Sequence, residues 1–141
     1  MATTRGTIMN TLVEDFTEKF TVANGYSAVV KVFRGGIFSE EIVQFPTLTI
    51  DFVADIGEEG DFLGDDSAIR TLTLVVQGGV STSSNNYDKF DEIMNNCELF
   101  LRSDNCSYDV TLEEAIQLEG NHDVARSYFS IQFNIRYNRA Y

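Results

Sequence analysis

"SYFSIQFNIRY", residues 127–137, decides the fold. Phe129, Ile131, Phe133, Ile135 and Tyr137 occupy every second position, with Tyr128, Ser130, Gln132, Asn134 and Arg136 between them. Successive side chains of a strand point to opposite faces, so this spacing predicts a strand with one face on a core and one polar face. The polar face suits a wet sheet surface, and also a subunit contact. Upstream, "DVTLEEAIQL" (109–118) reads as a neighbouring strand joined through "EGNHDVAR". The same alternation recurs in "IRTLTLVVQ" (69–77), where Leu72, Leu74 and Val76 point one way and Thr71, Thr73 and Val75 the other. "TLTIDFVAD" (47–55) follows the only proline, Pro46, a position a strand tolerates. "SAVVKVF" (27–33) is a fifth strand, closed by Gly35 and Gly36.

Two stretches change period. Ile8, Leu12, Phe16 and Phe20 recur every four residues, with Met9 and Val13 beside them and Glu14, Asp15, Glu18 and Lys19 opposite. That is an amphipathic helix, and Gly25 in "NGY" can take the left-handed conformation that ends one. Tyr87, Phe90, Met94, Cys97 and Leu101 trace a second helical stripe after the polar breaker "GGVSTSSNN", with Asn85 or Asn86 as its cap. Asp88 and Asp91 at its start and Arg102 at its end complement the helix dipole. The reading is α+β: a single small domain over 1–141, mainly an antiparallel sheet of about five strands flanked by two amphipathic helices, in the order α-β-β-β-α-β-β.

Composition sets bounds on function. A chain of 141 residues buries roughly two-thirds of its unfolded surface, enough for a core without disulfide or metal staples. No apolar run approaches the roughly 18 residues that span a bilayer, and "MATTRGTIMNTLVEDF" carries no mark of secretion. Cys97 falls on the second helix's apolar face as a small hydrophobe, Cys106 lies in the loop beyond, and no disulfide is expected between them. The net charge of −12 argues against nonspecific nucleic-acid binding, which rests on cations neutralising phosphates.

That charge is concentrated. No lysine or arginine stands between Arg34 and Arg70, where Glu40, Glu41, Asp51, Asp55, Glu58, Glu59, Asp61, Asp65 and Asp66 all fall. "DIGEEGDFLGDD" (55–66) reads as the tip of a long hairpin, with a connection of about 14 residues from Asp55 to Ala68, near the length at which loops are functional or disordered. Carboxylates with glycines are calcium-site ingredients, but the ligands do not alternate as a helix-loop-helix calcium site requires, and strands flank the segment. A solvated loop is the plainer reading.

Little else offers chemistry. The single histidine, His122, sits beside Asp123 in a hairpin loop with no nucleophile placed near it. Two distant cysteines and one histidine make no zinc ligand set. The glycine pairs of "FRGGIF" and "VQGGVS" mark strand ends or bulges, not a phosphate cradle. The glutamate pairs at 40, 58 and 113 put adjacent side chains on opposite strand faces, so they form no acid–base couple. No enzymatic activity, catalytic residue, metal or cofactor is expected.

The N-terminal helix, "FPTLTIDFVAD", the charged hairpin into "RTLTLVVQGGV", the helix "NYDKFDEIMNNCELFL" and the closing "SIQFNIRY" together resemble tail terminator proteins of long-tailed bacteriophages. The resemblance rests on element order and covers nearly the whole chain. It implies a virion protein, assembled in the host cytoplasm, that forms a hexameric ring, caps the tail tube, ends its growth and joins the tail to neck and head. Implied partners are copies of itself, the tail tube protein, neck or connector proteins, and the sheath where a tail is contractile. DNA passes through without specific binding, and no membrane is involved. Another head–tail connector or neck ring protein shares this outline; a reading of a different class is an acidic calcium- or protein-binding module. In a ring, Asp55, Glu58, Glu59, Asp61, Asp65 and Asp66 would face the lumen, repelling DNA, or contact the adjoining ring.

Overall fold

The computed structural model describes residues 4–29, 31–35, 47–57, 67–81, 87–121 and 126–140. Its elements are α1 (Thr4–Lys19), β1 (Lys31–Arg34), β2 (Thr47–Gly57), β3 (Ser67–Ser81), α2 (Asp88–Leu101), β4 (Val110–Asn121) and β5 (Arg126–Ala140). A short 3₁₀ turn, Val22–Asn24, follows α1 and ends on Gly25, whose φ of 91° is the left-handed conformation expected there. The order α-β-β-β-α-β-β and the α+β class are those the sequence predicts. His122 and Asp123 lie outside the described residues, as do Pro46, Asn85 and Asn86.

The strands form one sheet in the order β1-β2-β3-β5-β4. β5 is the spine between β3 and β4, antiparallel to both. β1 is the exception to the antiparallel rule: it pairs parallel with β2. A parallel neighbour cannot be joined by a tight turn, which is why residues 35–46 separate the two strands. β1 is also shorter than "SAVVKVF" suggests, beginning at Lys31.

Both helices lie on one face of the sheet. α1 contributes Ile8, Met9, Leu12, Phe16 and Phe20, and β5 contributes Phe129, Ile131, Phe133 and Ile135, all buried. Leu48, Ile50, Leu72, Leu74 and Val76 complete the sheet side. Each large side chain sealed this way supplies about 1.5–3 kcal/mol. At one end the rings of Phe16, Phe20, Tyr26 and Phe100 interlock, with Phe16 and Phe100 centroids 4.4 Å apart. The buried face of α2 is rotated from the expected stripe: Phe90, Ile93, Cys97, Phe100 and Leu101 are inside, Met94 is half-buried and Tyr87 is exposed. The alternating three- and four-residue steps from Tyr87 overlook Ile93 and Phe100, which share the Cys97 face at i−4 and i+3.

Two sequence-level glycine assignments divide. Gly35 does close a strand, at φ 76° with its N–H donating to Ile50 O at 2.6 Å. Gly78 and Gly79 do not: they sit inside β3, which runs through them to Ser81 without a register shift against β5. The reason is across the sheet. Gly78 faces Phe129, and a Cβ built on Gly78 would stand 2.2 Å from the ring's Cζ. A glycine in mid-strand here makes room for an aromatic ring.

Candidate assembly surface

β2 begins with Leu48 and Ile50 on the helix-facing side, and simple alternation would place Phe52, Ala54 and Ile56 there too, with Asp55 outside. The structure departs from this after Phe52. The pairing runs Phe52↔Leu74 and then Ala54↔Thr73, so Val53 is an extra residue, a β-bulge, and every later side chain changes face. The Phe52 N–H is held by Asp51 Oδ1 at 2.8 Å at the start of the irregularity. Beyond it Asp55 pairs with Leu72, which is core-facing, and Ile56 pairs with Thr71, on the outer face.

Asp55 is therefore not a loop residue with a solvated carboxylate, which corrects its place in the acidic tip. Its side chain retains only 3% exposure. Oδ1 accepts from Arg70 Nε at 2.8 Å and Oδ2 accepts from the Tyr137 hydroxyl at 2.6 Å, while Arg70 Nη2 also donates to the Asp55 carbonyl at 2.8 Å. Arg5, in the first turn of α1, stands 3.5 Å from Oδ2 and lays its guanidinium 4.9 Å from the centre of the Phe52 ring. A cation in a first turn opposes the helix dipole; here Asp55 and Phe52 hold it. Burial alone would raise the Asp55 pKa, but the hydrogen bonds from Tyr137 and Arg70 and the charges of Arg70 and Arg5 outweigh it, leaving the carboxyl below its ordinary value. Glu58, Glu59, Asp61, Asp65 and Asp66, the rest of the acidic set, lie outside the described residues.

The bulge has an opposite effect on apolar residues. Ile56, 62% exposed, and Ile69, 40%, share the outer face, Val53, 48%, stands at the bulge itself, and Phe52, 42%, opposite Leu74 and under Arg5, stays on the helix-facing side. Half of the large hydrophobic side chains exposed among the described residues are gathered on this arm of β2 and β3. Ile56 and Ile69, together on the outer face of an otherwise charged chain, offer an apolar surface suited to contact. Counting residues in β2 hides it, because Ile56 reads as core until the bulge is known.

Elsewhere the outer face of the sheet is laced shut by polar side chains. Thr73 Oγ1 donates to Asn134 Oδ1 at 2.7 Å, Asn134 Nδ2 donates to Glu113 Oε1, and Gln132 Nε2 donates to Glu113 Oε2. Three strands, β3, β5 and β4, are thereby tied across their polar side, and because the β4 register shifts between Leu112 and Glu114, Glu113 and Glu114 share this face instead of taking the opposite faces that alternation predicts. Tyr128, Gln132 and Asn134 are half-buried and Arg136 is exposed. The loop after α2 is anchored similarly: Asp15, 6% exposed, accepts from Ser107 N at 2.9 Å and Ser107 Oγ at 3.0 Å.

Cys97 and Cys106 are both buried free thiols. Burial pushes both thiols above the ordinary range, with Glu98 adding to the effect at Cys97 and Asp15 at Cys106. Among the described residues, no three His, Cys, Asp or Glu side chains group as metal ligands, and no helix is long and apolar enough to cross a membrane. No protein-family model matches the chain, and no curated protein is similar to it.

Proposed function

We propose that this chain is a structural subunit of a long-tailed phage virion, a tail terminator whose copies form a hexameric ring that caps the tail tube, ends its growth and joins the tail to the neck. The observation that carries the reading is the arm, whose outer face exposes Ile56 and Ile69 and whose bulge exposes Val53, beside a polar cluster with its own charges paired. An arm stiffened by Arg5, Asp55, Arg70 and Tyr137 and faced with apolar side chains is built to engage another protein surface. The element order on which the family resemblance rests supports the same reading. In this ring the lumen-facing or ring-contact role falls to Glu58, Glu59, Asp61, Asp65 and Asp66, whose negative charge would keep DNA from adhering during passage. Tail tube protein lies on one side of the ring and neck or connector protein on the other.

Electron microscopy of the protein mixed with assembled tail tubes tests this. Tubes of fixed length carrying a terminal ring are expected; tubes that stay uncapped and lengthen would overturn the reading. A variant lacking residues 58–66 tests the acidic tip separately: retained capping with impaired DNA delivery is expected, and normal delivery assigns the tip to solvent alone.

A further inference from the structure

The two edges of the sheet carry opposite charge. β1, at one edge, reads Lys31-Val32-Phe33-Arg34, with both cations exposed. That places two of the chain's ten basic residues in four positions. β4, at the other edge, presents exposed Glu113 and Glu114 followed by Ile116, which is 42% exposed. Among the described residues each edge strand has one neighbour in the sheet, and an open sheet edge is a template for another chain's strand.

Strand directions make the two edges compatible. β1 runs with β2, β3 against them, β5 with them and β4 against them. β1 and β4 are thus antiparallel across the sheet. When β4 of one copy is set against β1 of the next with both helical layers on the same side, the new pair is antiparallel, the more stable arrangement. Register against β2 puts Lys31 and Phe33 on the outer face, opposite to Val32, and register against β5 puts Glu114 and Ile116 on that same face. The Lys31 ammonium already lies 5.6 Å from the Phe33 ring centre, so a charge and an apolar surface stand together on each edge. Pairing β1 with β1, or β4 with β4, would oppose like charges and is disfavoured.

We infer that the subunits join head to tail, β4 of one copy continuing the sheet onto β1 of the next, with Glu114 and Ile116 meeting Lys31 and Phe33. This inference rests on the ring-forming reading and supplies its contact. Such a heterologous contact closes into a ring when its rotation permits and otherwise propagates as a filament.

Sedimentation velocity over a concentration series tests it with full-length wild type, Lys31→Glu, Glu114→Lys and an equimolar mixture of the two variants. Both substituted side chains are exposed, and far-UV circular dichroism checks that each variant is folded. Wild type is expected to associate more weakly as salt rises. Each variant alone should associate roughly tenfold more weakly or not at all, and the mixture should recover, because each altered edge then meets an altered partner. Association that ignores both substitutions, or single-variant losses that mixing does not repair, overturns the edge pairing while leaving tube capping to be judged on tubes. A wild-type chain that stays monomeric at every concentration also overturns it. Failure of capping by a wild-type chain that does associate through these edges would instead remove the terminator reading and keep the contact.

Discussion

Gly78→Ala is the substitution whose outcome the structure constrains most tightly. In an ordinary strand it would help, since glycine costs roughly 0.5–1 kcal/mol relative to alanine. Here the added Cβ would lie 2.2 and 2.3 Å from two carbons of the Phe129 ring, well inside van der Waals contact. The ring has no free direction: Phe129 is fully buried and Phe90 meets it edge-on with centroids 5.8 Å apart. Overpacking of this kind costs about 1–3 kcal/mol, so the net loss should be about 0.5–2 kcal/mol after the backbone gain is subtracted. Phe129→Leu removes the far carbons of the ring and by itself costs about 1–3 kcal/mol. Combined, the two changes should cost less than their sum, because the methyl group enters space the ring has left. Urea denaturation followed by far-UV circular dichroism on wild type, both single variants and the double variant gives the coupling. The reasoning predicts a favourable coupling of about 1–2 kcal/mol. Additivity within about 0.5 kcal/mol would refute it, and so would a stabilised Gly78→Ala.

Acid should release the arm. The folded Asp55 carboxyl has a pKa below its unfolded value, so the unfolded chain binds the proton more tightly; the stabilisation is full above about pH 4–5 and is lost as pH falls through the folded value. Asp55→Asn should flatten that part of the urea-midpoint profile, and an unchanged profile would contradict the assignment. Asp15→Ala strips both acceptors from Ser107 and should cost about 1–3 kcal/mol, with faster amide exchange at Ser107 as the local readout. Ile56→Asp, at an exposed position, should shift stability by no more than about 0.5 kcal/mol yet abolish tube capping, which negative-stain microscopy would score. Neither Cys97 nor Cys106 should react with a thiol reagent in the native protein, and both should react once urea unfolds it, as absorbance of the released chromophore would report.

The strands and helices were legible because burial on one face leaves a period, two in β5 and about four in α1. Leu72, Leu74 and Val76 and the alternate residues of Phe129–Ile135 are buried as that period predicts. What the period cannot encode is a change in its own origin. At Val53 the bulge adds one residue, and from that point the alternation assigns Asp55 and Ile56 to the wrong faces. Gly78 fails for a related reason: its role is set by Phe129, distant in sequence, and no local rule distinguishes a glycine that admits a ring from one that breaks a strand. The parallel placement of β1 likewise depends on a connection whose composition says nothing of direction. The acidic set was visible as a run of charge, yet only its first member falls among the described residues, and that member is a structural ion partner. Arg5, Arg70 and Tyr137 carried one clue: Arg70 is the first cation after the long acidic interval, but nothing in sequence brings Arg5 or Tyr137 to it.

Val53 acts as a half-period phase shift in a repeating signal. Everything upstream keeps its phase and everything downstream is inverted, so one inserted residue sets two properties together: an acid drawn in among cations and an isoleucine turned out for contact. Loss of that residue would invert both at once, sealing the isoleucine inside and stranding Arg70 without its carboxylate. Stability of the arm and its capacity to bind are thus locked to a single insertion, and selection cannot retain one while discarding the other.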